Sequence, residues 1–142
     1  MGNGTAGNLQ EVVSAGDIIS SGTNVGGIIG KSDEMVINSG RNTGEVTGNE
    51  NVGGIVGVNG SQSHMNNIIN DANATIKGVN NVGGLAGINA GKIVASDMGL
   101  VNEGRVYGQT NVGGVVGVNE AGGLINNTNS NITLYVCLLY TS

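Results

Sequence analysis

Proline, phenylalanine and tryptophan are absent from the 142 residues, and tyrosine occurs only 3 times. Without large rings the chain lacks the side chains that supply much of the buried area in an ordinary globular core. The missing proline, together with the lack of a glycine at every third position, excludes a collagen triple helix. The single cysteine, Cys137, rules out a disulfide framework within the chain. With His64 as the single histidine, no H-E-x-x-H zinc pair exists, and a Ser-His-Asp triad would hang on that one side chain without a supporting motif. Five basic residues stand against 10 acidic ones, for a net charge of -5 and a pI near 4.5. With no Lys/Arg run, the footprint of a nucleic-acid backbone is missing, and nucleic acid is not an expected partner. Apolar runs are short and broken by Gly and Asn, far below the roughly 18 residues a membrane span needs. The first residues, Met1 to Ala6, show neither a basic region nor an apolar one, so no signal peptide is visible. Ala6 also stands where a myristoylation pattern wants Ser or Thr.

What is abundant is glycine, 28 residues, and asparagine, 22 residues, together about a third of the chain. The sequence is 38% hydrophobic and 11% charged, whereas disordered chains are poor in apolar residues and rich in charge. One structured unit is the expectation from length.

The arrangement of those glycines carries the main signal. Asn-Val-Gly-Gly begins at Asn24, Asn51, Asn81 and Asn111, at intervals of 27, 30 and 30 residues. Two apolar residues and a glycine follow each time: Ile28-Ile29-Gly30, Ile55-Val56-Gly57, Leu85-Ala86-Gly87 and Val115-Val116-Gly117. The repeat-defining residues are therefore Asn24, Gly26, Gly27 and Gly30; Asn51, Gly53, Gly54 and Gly57; Asn81, Gly83, Gly84 and Gly87; and Asn111, Gly113, Gly114 and Gly117. Upstream, Gly44-Glu45-Val46-Thr47-Gly48 and Gly104-Arg105-Val106-Tyr107-Gly108 recur, with Thr75-Ile76-Lys77-Gly78 between them.

A fixed period of this length marks a solenoid, propeller or array. Val, Ile and Thr at the apolar positions favour strands. Glycines this frequent would each cost a helix about 1 kcal/mol relative to Ala. The expectation is an all-β fold, a parallel β-solenoid of about four 27–30-residue repeats. Each coil should hold about three short strands, and Val52, Val82 and Val112 should stack in adjacent coils. Glycine at the motif centre permits close backbone approach in a narrow bore, which Val and Ile fill without rings. Asn24, Asn51, Asn81 and Asn111 either form a hydrogen-bonded ladder along the stack or occupy solvated turns, and composition does not choose between them.

The repeat resembles the GLUG motif, a Gly-Leu-apolar-Gly signature matched literally by Gly84-Leu85-Ala86-Gly87. Ile28, Ile55 and Val115 replace the Leu in the other copies. The resemblance spans roughly residues 16 to 127. It implies an extracellular bacterial protein, either a large surface adhesin or the repeat region of an immunoglobulin-A-cleaving peptidase. No catalytic role of the motif transfers to these residues, so the resemblance implies a non-catalytic structural or adhesive segment, secreted or at the cell surface. The alternative is the spacer of a secreted metallopeptidase whose catalytic domain lies elsewhere. A second alternative is a glycan-binding β-sandwich or barrel, which would close on itself without pairings one repeat apart.

No metal or cofactor is expected. Gly53-Gly54-Ile55-Val56-Gly57 lacks the spacing of a dinucleotide fingerprint, and Gly91-Lys92 is followed by Ile93, which fails a P-loop. The calcium-binding nonapeptide repeat wants an Asp where this chain has Val, Ile or Lys, and Asp33-Glu34 reads as a solvated turn. His64 is expected to be exposed in a connection. Variation between copies concentrates in residues 31–43, 60–75 and 90–103, where contact with a host or matrix glycan or protein would be sought. Contiguous repeats of a longer chain are the other expected partners. Residues 1–15 read as a partial coil or irregular lead-in, 16–131 as the array and 132–142 as an apolar tail. The last six residues, 137–142, back-translate to TGT CTC TTA TAC ACA TCT, a stretch of a transposase sequencing adapter. They are expected to be read-through, the alternative being a genuine strand from Ile132 to Leu139.

Overall fold

The computed structural model describes residues 2–4, 6–95, 100–127 and 137–138. All regular structure among them is strand, and every strand pairing is parallel. The chain is a parallel β-solenoid of about four turns. Val52 pairs with Val25 and Val82, and Val82 with Val112, so the motif valines stack coil upon coil. Pairing at one-repeat separations excludes a self-closing sandwich or barrel.

Four sheets run the length of the stack. Sheet A contains Asn3–Gly4, Ile29–Ser32, Val56–Asn59, Ala86–Asn89 and Val116–Asn119. Sheet B starts with Gly7–Ser14 and Met35–Asn42 and continues through His64–Asn66 with Ile69–Asn70, Lys92–Ala95 with Val101–Asn102, and Leu124–Asn127. Sheet C holds Ile18–Ile19, Glu45–Thr47, Thr75–Lys77, Arg105–Tyr107 and Cys137–Leu138. Sheet D holds Thr23–Gly26, Glu50–Gly53, Asn80–Gly83 and Thr110–Gly113. A coil thus has four faces where the sequence suggested three strands. The difference lies in the motif, whose central glycine pair is a corner that splits it into one strand of sheet D and one of sheet A.

Those two strands double back on each other and fold into the interior. Residues 25–30, 52–57 and 82–87 are buried without a break, unlike the in-out alternation of sheet B. The two backbones touch through glycine. A Cβ on Gly30 would lie 2.5 Å from the Asn24 carbonyl oxygen, and one on Gly57 2.6 Å from the Asn24 carbonyl carbon. On the opposing strand, a Cβ on Gly26, Gly53 or Gly83 would overlap the carbonyl oxygen of Ile29, Val56 or Ala86.

This inward pleat divides the core. Between sheets A and B lie Ile29, Ile37, Ile55, Val56, Met65, Ile68, Leu85 and Ile93; between C and D lie Val25, Val46, Val52, Ile76, Val82 and Val106. Most of these side chains are fully buried, each worth about 1.5–3 kcal/mol of transfer free energy. Neither lobe is wide enough to need a ring.

Length differences between coils are confined to corners. Asn59 pairs with Asn89 (30 apart), Met65 with Ile93 (28), Ile69 with Val101 (32) and Thr75 with Arg105 (30). Two residues are dropped where Gly60-Ser61-Gln62-Ser63 becomes Ala90-Gly91. Four are gained before Val101, inside a stretch whose residues 96–99 lie outside the described residues. At the lead-in, Asn3–Gly4 and Gly7–Ser14 stack in register on the following coil. Of the tail, Cys137–Leu138 pairs with Arg105–Val106. The remaining tail positions, and with them most of the segment assigned to read-through, lie outside the described residues.

Replacing Gly57 by Ala should destabilise the fold by about 3 kcal/mol or more, because only backbone atoms surround the new methyl group. Gly16→Ala, with nothing within 4 Å, should change stability by no more than about 0.5 kcal/mol. Urea unfolding followed by circular dichroism measures both.

Candidate functional site

The repeat-defining residues gather into columns along the stack. Gly26, Gly53, Gly83 and Gly113 form one side of the pleat and Gly30, Gly57, Gly87 and Gly117 the other. The second glycine of each pair turns toward a different neighbour. A Cβ on Gly54 would lie 2.5 Å from Asn70 Oδ1, one on Gly27 3.0 Å from Asn42 Oδ1, and one on Gly84 would overlap Asn102 Nδ2. In the last copy the Gly114 carbonyl accepts from Asn102 Nδ2 at 2.9 Å. The tip of the pleat therefore presses on a column of buried asparagines.

Asn24, Asn51, Asn81 and Asn111 stand at the mouth of the pleat with φ of 57, 55, 55 and 53°. Left-handed backbone is uncommon outside glycine and is best tolerated by Asn. Asn51, Asn81 and Asn111 each donate through Nδ2 to Oδ1 of the preceding asparagine at 2.8 Å. The two roles considered for these residues, turn and ladder, coincide: the left-handed turn aims each amide along the stack.

Three further columns run along the stack, of which only Asn59, Asn89 and Asn119 recur visibly in the sequence, after an apolar residue in the last three copies. Asn42 Nδ2 donates to Asn70 Oδ1 at 3.0 Å and Asn70 Nδ2 to Asn102 Oδ1 at 2.8 Å, all three residues being fully buried. Their orientation is fixed by turns at the B–C corner, where Gly44 and Gly104 donate backbone N–H to Asn42 and Asn102 Oδ1. At the A–B corner Asn59 donates to Asn89 and Asn89 to Asn119, both at 2.8 Å. On the outside of sheet B, Asn66 donates to Asn38 at 2.8 Å and Asn38 to Asn8 at 3.4 Å. The first two columns donate from earlier coil to later; the sheet B and mouth columns donate from later to earlier.

Sheet B also carries a groove that crosses three coils. In each of its first three turns a non-glycine residue takes left-handed φ: Glu11 (52°), Ser39 (60°) and Asn67 (56°). At each the in-out alternation breaks and two consecutive residues face outward, Gln10 with Glu11, Asn38 with Ser39 and Asn66 with Asn67, while the coils stay in register. The groove beside this column has a volume of about 260 Å³ and is lined by Glu11, Val13, Ser39, Gly40, Arg41, Asn67 and Ile69. Arg41 is paired with Asp71 of the next coil. That hydrogen bond, with a backbone one from Asn73, holds the Asp71 carboxyl below the usual carboxylate range.

His64 opens a strand of sheet B, half-buried between Val36 and Lys92, and is not an exposed loop residue as the sequence suggested. Asp33 and Glu34 are exposed at the A–B corner. Among the described residues no three His, Cys, Asp or Glu side chains are grouped as metal ligands, and no helix is long and apolar enough to cross a membrane. The variable segments 31–43, 60–75 and 90–103 coincide with sheet B and its two corners. Comparison with protein families, with curated proteins and with solved structures found no match.

Two predictions test these columns. Asn70→Ala breaks two rungs inside the core and should cost about 2–4 kcal/mol, whereas Asn111→Ala, at an exposed rung, should cost about 1 kcal/mol; denaturant midpoints separate them. The folded state binds the Asp71 proton less readily than the unfolded chain does. The resulting stabilisation is fully present above the ordinary value of 3.8 and fades as pH falls through the lowered one. Asp71→Asn should therefore be less stable than wild type at neutral pH, and the difference should shrink below pH 3.8 in acid titrations of unfolding.

Proposed function

We propose that the chain is a non-catalytic structural and adhesive repeat segment, of the GLUG type, in a larger secreted or cell-surface bacterial protein. One observation supports this reading above the others: the residues that recur from coil to coil are spent on the interior and its rim. The recurring glycines make the pleat, the recurring valines fill the lobes, and the recurring asparagines link successive coils. Identity repeated at buried positions selects for a rod that can be extended, because each added coil meets the same surface as the one before. Outward-facing residues of sheet B differ between coils, as suits a surface that presents distinct contacts along its length.

An antibody against the repeats should label intact producing cells or their medium, and brief external protease treatment should remove the cell-bound signal. Labelling that appears only after the cells are permeabilised would overturn the assignment.

A further inference from the structure

We propose that the groove on sheet B receives a lysine or arginine side chain from an extended, basic segment of a partner protein. The groove exists because of the left-handed residues in sheet B. At Glu11, Ser39 and Asn67 the strand direction breaks and the in-out alternation slips by one, so two outward rows flank a channel floored by Gly40. Its walls come from three successive coils, since Val13 pairs with Arg41 and Arg41 with Ile69.

The lining sorts into an apolar part and a charged part. Val13, 61% exposed, and Ile69 offer aliphatic surface that no described residue covers fully. Arg41 is neutralised by Asp71, which leaves Glu11 as the unmatched charge. Glu11 makes no ion pair among the described residues. An aliphatic wall beside an uncompensated carboxylate is complementary to a long side chain with an apolar stem and a cationic end. Ser39 stands in the same row as Glu11, with a hydroxyl that can accept from an ammonium or guanidinium.

Size and charge favour the same occupant. At about 260 Å³ the groove is smaller than the sites that enclose drug-sized ligands and suits a single side chain. None of its lining residues is aromatic, so a sugar ring has no flat face to stack on. The net charge of -5 draws basic segments toward the protein and keeps further copies of this acidic chain apart. The inference is independent of where the protein is displayed.

The test is an NMR titration of the whole chain with an acetylated, amidated Gly-Gly-Lys-Gly-Gly peptide, compared with its acetyl-lysine and glutamate counterparts. Backbone amides of residues 11, 39–41 and 67 should shift with the lysine peptide and not with the other two, and the response should weaken as salt is raised. Glu11→Gln, which keeps the side-chain shape, should weaken binding about fivefold with the spectrum of the fold unchanged. Val13→Ser should weaken it as well, through the apolar stem. Equal binding by Glu11→Gln, equal response to acetyl-lysine, shifts confined to other faces, or no shift at millimolar peptide would each overturn the proposal. A stronger response of the same amides to N-acetylglucosamine oligomers would replace it with a glycan site.

Discussion

The structure depends on a contact between two backbones with no side chain between them. Where sheets D and A double back, each chain sees carbonyl and Cα atoms across the pleat, and Gly26 and Gly30 with their successors are the only residues that leave room. From that contact the rest follows. The pleat halves the section, so each lobe is filled by Val, Ile, Leu and Met and has no use for Phe or Trp. Its tip reaches the opposite wall, where the second glycine of each pair leaves space for a buried asparagine. Buried amides need partners, and the next coil supplies one at nearly the same place. Backbone contact and amide ladder are thus two sides of one arrangement, and the Gly-Gly pair serves both.

Much of this was readable because identity repeats. The valine register, the parallel stacking and the closeness implied by central glycines all come from positions where the same residue recurs at a near-constant interval. The fourth face escaped because its boundary is a glycine pair, which reads as a loop and not as the tip of a fold. The Asn42, Asn70 and Asn102 column escaped for another reason. Its spacings of 28 and 32 residues straddle an insertion, and no identical residue follows it in the three copies, which have Thr43, Asp71 and Glu103. The left-handed column of sheet B is harder still: Glu11, Ser39 and Asn67 have only their backbone conformation in common. Position in a coil is set by tertiary stacking there, and local propensity carries no trace of it.

Insertions and substitutions are distributed with equal economy. Corners absorb the changes in coil length, while sheet B, exposed on its outer side, absorbs the changes in residue type. In sheets D and A the Asn, Val and Gly positions of the motif stay the same in every copy, while the positions around them vary. A single coil therefore carries a fixed half that holds the stack and a free half open to selection by whatever it meets.

The direction of the amide ladders bears on how long such a stack can grow. A row of side-chain amides all donating the same way adds its dipoles end to end, as peptide units do along a helix, and would place growing partial charge at the two ends. Here the buried columns at the A–B and B–C corners point one way, and the mouth and sheet B columns point the other. Along the stack four rungs donate one way and five the other, so their axial polarisations largely cancel. A filament that keeps this balance gains cross-links in proportion to its length without a matching growth of its axial dipole.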